Sequence, residues 1–150
     1  METKDILREL REKNNLTQDQ MAERVMVTRQ AVSRWETGET QPNTDTLKIL
    51  SKEFNVSINT LLGSPRQLIC QCCGMPLSED SMISHEPDGS FNEDYCKWCY
   101  TDGSFAYRTK DLLLDFLVGH MPNPDQLPDQ ERRNQYDSYL SQLKHWQQSA

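Results

Sequence analysis

The 150-residue sequence contains no run of about 18 apolar residues, the length a helix needs to cross a bilayer. Its first residues, M-E-T-K-D-I-L, put charge where a secretory signal needs an apolar core. It has no internal repeat and no low-complexity tract, which excludes repeat architectures. A mean hydropathy of -0.80 with 26% charged residues describes a soluble chain. These absences together predict a cytoplasmic protein that does not engage a membrane. In that compartment thiols stay reduced, so closely spaced cysteines point to a metal rather than to disulfides.

What is there falls into two parts. The net charge of -7 conceals an asymmetry. Residues 1–64 hold 9 Lys and Arg against 10 Asp and Glu, whereas residues 65–150 hold 7 against 13. Gly63, Ser64 and Pro65 mark a break between structured segments. The expected division is a domain over 1–64 and a second module over 65–150.

In the first part, Ile6, Leu7 and Leu10 recur at helical spacing until Asn14 and Asn15 stop the run. Thr17 is placed to cap a second helix with Met21, Ala22 and Val25 inward, and Thr28 to cap a third that ends at Gly38. A fourth opens at Thr44, with Leu47, Ile49 and Leu50. A short fifth runs from Ser57 through Leu61 and Leu62. Only Met26 and Val27 are left between the second and third, which forces a bent helix–turn–helix rather than an antiparallel hairpin. The segment L-T-Q-D-Q-M-A-E-R-V-M-V-T-R-Q-A-V-S-R-W-E-T-G resembles the Xre-type family of phage repressor and Cro-like regulators, over residues 3–63.

That resemblance implies double-stranded DNA as partner and a recognition helix beginning at Thr28. It places Thr28, Arg29, Gln30, Ser33 and Arg34 at a major groove and Gln18 against a phosphate. The residue types suit these roles. Arg forks onto guanine O6 and N7, Gln onto adenine N6 and N7, and amides hold phosphates. The resemblance also implies an ion pair between Arg11 and Glu36, while Trp35 belongs to the core. Related sequences carry Gly at the turn position held here by Met26, where a left-handed backbone costs a side chain on the order of 1 kcal/mol.

The five cysteines lie in C-Q-C-C-G-M-P-L (70–77) and Y-C-K-W-C-Y (95–100). Pairing Cys70 with Cys73 and Cys96 with Cys99 makes two C-x2-C knuckles 22 residues apart, a strong tetrahedral zinc signature. Gly74 supplies the positive φ such a knuckle needs. Cys72 falls outside the set, and His85 is expected in a loop. The segment resembles a bacterial zinc-ribbon family that opens with C-x-x-C-G-M-P and closes with Y-C-x-x-C-Y-x-D-G. The expected cofactor is one Zn²⁺ per chain.

Beyond the knuckles, K-D-L-L-L-D-F-L-V-G is expected as a helix ended by Gly119. A second helix should run from Asp129 with Tyr136, Tyr139, Leu140, Leu143 and Trp146 on one face. Leu112, Leu113, Leu114 and Leu117 are expected to join two subunits into a homodimer, with the zinc module free to engage a protein partner. The fold class is mainly α: five helices of a repressor-like domain, then a small zinc-ribbon module with C-terminal helices. No βαβ pattern surrounds the cysteines and no His–carboxylate set lies near them, so an enzyme is not expected. The function expected is sequence-specific transcriptional regulation with a structural zinc module. The alternative is a redox- or metal-responsive regulator whose cysteines switch DNA binding.

Overall fold

The computed structural model describes residues 1–147. It divides into two compact units, one of residues 1–67 with 88–91, the other of Leu68–Pro87 with the chain from Asn92 on. No helix among the described residues is long and apolar enough to cross a membrane.

The first unit holds α1 (Thr3–Lys13), α2 (Gln18–Arg24), α3 (Arg29–Thr37), α4 (Thr44–Phe54) and α5 (Ile58–Leu61). Four of the five start on a side-chain cap. Thr17 closes a capping box with Gln20, while Thr28, Asn43 and Ser57 each accept an N–H from three residues on. Each such cap stabilises its helix by about 0.5–2 kcal/mol. Helices this short are marginal alone, and they are held by one core of Leu7, Met21, Ala22, Val25, Val32, Trp35, Leu47, Leu50 and Leu61. The α2–α3 turn requires Met26 at φ 60°, and its side chain points into solvent. Exposure avoids any packing conflict, so only the backbone cost remains.

Glu36 is nearly fully buried on α3, and Arg11 answers it with two 2.8 Å hydrogen bonds to its two carboxylate oxygens. Arg11 also donates to the Leu16 carbonyl at 3.0 Å. The bond to Glu36 holds the Arg11 pKa above its usual value. The sequence pattern missed Arg8, whose guanidinium donates to the Glu36 carbonyl at 3.0 Å and lies 3.5 Å from its carboxylate.

The second unit begins with the first knuckle and continues through β1 (Ile83–His85), β2 (Phe91–Cys96), β3 (Tyr100–Thr101) and β4 (Ser104–Phe105). β1 pairs with β2, and β3 pairs antiparallel with β4 in the register Tyr100↔Phe105 and Thr101↔Ser104. The two turn residues Asp102 and Gly103 both have positive φ, as a two-residue hairpin of this twist demands. His85 therefore ends a strand rather than sitting in a loop, and its carbonyl accepts the Asp102 N–H at 3.2 Å.

Then come α6 (Lys110–His120), α7 (Asp129–Leu140) and α8 (Lys144–Gln147). Three expectations are corrected here. Gly119 lies inside α6 rather than ending it, because a lone glycine weakens a helix without breaking it. The last helix is broken at 141–143, so Leu143 and Trp146 do not continue the α7 face. Leu113, Leu114 and Leu117 are buried within the unit, which leaves only Leu112 of the four leucines exposed. They build this unit's own core, so of the four only Leu112 stands out toward a second subunit.

α6 and α7 are cross-linked by charge. Buried Arg132 donates to the Val118 and Met121 carbonyls at 2.8 and 2.9 Å, capping the end of α6 where carbonyls lack partners. Arg133 reaches Asp115 at 2.6 Å and Asp111 at 3.0 Å.

Candidate functional site

The second unit brings together Cys70, Cys73, Cys96 and Cys99, with all four sulfur atoms within 4.8 Å of one another. Local geometry explains each half. In the first knuckle, the Cys70 N–H bonds the Met75 carbonyl at 2.9 Å and the Gly74 N–H returns to the Cys70 carbonyl at 2.8 Å. Gly74 completes the turn at φ 81°. In the second, the Cys99 N–H bonds the Cys96 carbonyl at 3.2 Å, and the hairpin of β3 and β4 follows directly. Cys70, Cys96 and Cys99 are buried, while Cys73 is half-buried.

The spacing fits a tetrahedral metal. Thiolates at a Zn–S distance of about 2.3 Å stand about 3.8 Å from one another. The Cys73 and Cys96 sulfurs are 3.9 Å apart. Four thiolates cannot coexist at this range without a cation. The Cys70 thiol is pushed down, because Cys73, then Cys96 and Cys99, donate to its thiolate. Cys73 and Cys99 are pushed up, each chiefly by its bond to Cys70. The four cysteines thus lie close enough to hold a metal ion, and a metal would replace one shared proton network by four sulfur bonds.

Cys72 is fully buried and is not one of the four clustered sulfurs, though its thiol lies beside that of Cys99 and helps to push the Cys99 thiol up. Its carbonyl accepts the Trp146 indole N–H at 2.7 Å. Around the same knuckle, the Tyr139 hydroxyl donates to the Gly74 carbonyl at 3.0 Å. The Lys144 and His145 amides bond the side chain and the carbonyl of Gln71 at 3.1 and 3.2 Å. The C-terminal helices therefore grip the first knuckle through its backbone, a role the cysteine spacing does not announce. An aromatic cluster continues from there. The His145 ring lies 4.5 Å from that of Phe105, tilted against it, and meets Tyr95 edge-on at 5.6 Å; burial pushes its pKa down.

More than half of the chain, residues 69–147, matches the family model described as "Putative zinc ribbon domain". The chain belongs to this zinc ribbon family. The family match covers both knuckles and all three C-terminal helices, so the helices that grip the first knuckle are part of the zinc ribbon itself.

In the first unit, Thr28, Arg29, Gln30 and Arg34 stand exposed on α3, opposite the buried Val32, Trp35 and Glu36. Ser33 on the same helix and Gln18 at the start of α2 are half-buried. The Thr28 hydroxyl accepts the Ala31 N–H at 3.1 Å and so is engaged as a cap. Among the described residues, Arg29 and Gln30 have no side-chain partner within the chain. Arg34 reaches only Glu39, at 3.9 Å across two largely exposed groups. Such a pair contributes little. The exposed face carries two cations and one amide whose hydrogen bonds are unused by the fold.

Residues 7–61 match the family model described as "Helix-turn-helix". The HTH-type transcriptional activator BcrR of Enterococcus faecalis is 48% identical over 62 residues, covering 41% of this chain. The match takes in 30% of that relative's own length. Two solved structures also match this unit. The P22 c2 repressor in complex with a synthetic operator has 33% identity over 43% of this chain and 97% of its own, with a TM-score of 0.41. The solution structure of the P22 c2 repressor DNA-binding domain has 33% identity over 41% and 80%, with a TM-score of 0.39.

Proposed function

We propose that this protein is a sequence-specific DNA-binding transcriptional regulator, with a DNA-binding domain over 1–64 and a zinc module over 65–150. The observation that carries this reading is the outward face of α3. A helix-turn-helix domain whose second helix presents Arg29 and Gln30 without internal partners, and Arg34 with only a weak exposed pairing to Glu39, is suited to read base edges. Ser33 and Thr28 lie beside them, and Gln18 at the start of α2 suits a backbone phosphate. The 48% identity to a protein described as an HTH-type transcriptional activator supports the same reading. Selecting bound DNA from a random pool tests it; a pool that never converges on a motif would refute it.

In this reading Cys70, Cys73, Cys96 and Cys99 hold one Zn²⁺ per chain. Zinc would supply four sulfur bonds that join the two knuckles, and four thiolates leave it no open position for a substrate or water. The site is therefore structural and the protein is no enzyme. The zinc module does not touch DNA, because 13 acidic residues against 7 basic ones repel a phosphate backbone, and a four-thiolate zinc site adds a net -2. Its part is assembly. One helix-turn-helix reads a few base pairs, and a homodimer spans two half-sites about 34 Å apart.

A second reading, in which the cysteines switch DNA binding, has one observation in its favour. Cys73 alone of the four is only half-buried, and its knuckle is tied to the C-terminal helices. Mild peroxide distinguishes the two. A scaffold keeps its zinc and its DNA affinity, whereas a switch releases zinc and loses about tenfold or more in affinity.

A further inference from the structure

An open cavity of about 770 Å³ lies between the two knuckles and the α6–α7 pair. Sites for drug-sized molecules span roughly 300–1,000 Å³. The wall is predominantly apolar and rich in rings, with Trp98, Tyr107, Phe116, Tyr136, Tyr139 and Leu117 among its residues. Tyr107 and Phe116 are packed 5.8 Å apart with their planes tilted at 50°, so ring faces as well as edges are on offer.

Charge selects among apolar occupants. No Lys, Arg, His, Asp or Glu lines this cavity. The sulfurs of Cys73, Cys96 and Cys99 are part of the wall, and with Cys70 and a bound Zn²⁺ they would carry a net -2. The neighbouring protein cations lie outside the lining. Lys97 sits 4.9 Å over Trp98, and Arg132 sits 6.0 Å from the Tyr136 ring with its guanidinium engaged by two carbonyls. An apolar hollow walled by ring faces and backed by negative sulfur attracts a cation and repels an anion.

We propose that this cavity binds a small lipophilic cation bearing aromatic rings. The charge argument rests in part on the metal reading above. Because Cys73 and Gly74 line the cavity, the ligand and the first knuckle share a wall, and any coupling between ligand and metal affinity is reciprocal.

The test is a calorimetric titration of the full-length, zinc-supplied protein with tetraphenylphosphonium and, separately, with tetraphenylborate. The two ions share shape and differ in the sign of their charge. One tetraphenylphosphonium per chain should bind, at least about tenfold tighter than tetraphenylborate. Trp98→Ala and Phe116→Ala alter rings that already reach solvent. Each should weaken the cation about 3- to 30-fold with zinc content unchanged. Equal affinity for the two ions, or unchanged affinity in both variants, would overturn the proposal. So would sedimentation showing that a second copy of the chain occludes the cavity. Zinc measured on the same samples separates the two readings. Zinc present without cation preference sinks the cavity, and cation preference without zinc sinks the metal assignment alone.

Discussion

Trp146 donates its indole N–H to the carbonyl of Cys72 across 2.7 Å, joining residues 74 positions apart inside the core. A buried carbonyl left without a donor costs about 1–3 kcal/mol. Trp146→Phe keeps an aromatic side chain but removes the N–H and part of the buried bicycle, so it should lower the melting temperature of the second unit and speed zinc transfer to a chelator. Unchanged zinc release would mean the knuckle holds its shape without this bond.

Gly74 offers a companion test. A Cβ there would lie 2.1 Å from the Tyr139 ring, and the backbone already sits at φ 81°. Gly74→Ala should destabilise by more than the roughly 1 kcal/mol that a left-handed alanine costs. Adding Tyr139→Ala should return part of that loss, which a double-mutant cycle in thermal unfolding measures. Strict additivity would place the strain elsewhere.

The metal assignment predicts opposite outcomes for neighbouring thiols. Cys73→Ser should lose tightly held zinc, while Cys72→Ser should keep one per chain, as read by elemental analysis after gel filtration. The reverse pattern would exchange their roles.

For DNA, Arg34→Ala should cost about 1–3 kcal/mol and relax preference at one base position. Gln18→Ala should weaken all sequences alike and leave the salt dependence unchanged, because a neutral amide releases no counterion. Specific binding that survives Arg29→Ala and Arg34→Ala together would mean α3 is not the reading element.

His145 makes a pH prediction. Burial holds its pKa below the unfolded value, so the unfolded chain takes up the proton more readily. Its contribution is therefore intact above the unfolded pKa and is lost as pH falls from there toward the folded pKa. Between about pH 8 and about pH 5, His145→Phe should lose less stability than the wild type in chemical denaturation, with both proteins zinc-loaded. Equal losses would show that the cysteines alone set the acid sensitivity.

The features legible in the sequence are those whose causes lie within a few residues. Thr17, Thr28 and Ser57 cap helices because a side-chain oxygen meets an N–H three positions on. Met26 turns left because two helices meet there with almost no chain between them. C-x2-C knuckles and the Gly74 turn are equally local, which is why the four cysteines were singled out by spacing. The ion pair of Arg11 with Glu36 was legible only through a family pattern, and Arg8 escaped because its partner is 28 residues away.

Tertiary structure decided the rest. The apolar pattern of residues 110–119 shows a helix that must bury a face, but not against what. Only packing against α7 and the knuckles makes Leu113, Leu114 and Leu117 core and leaves Leu112 outside. The break at 141–143 follows from Gln71, which captures the Lys144 and His145 amides and so fixes where the last turn of helix restarts. The same packing leaves the ring-lined hollow beside the cysteines. Periodicity records which residues avoid water; which surfaces meet is set by contacts between segments some seventy residues apart.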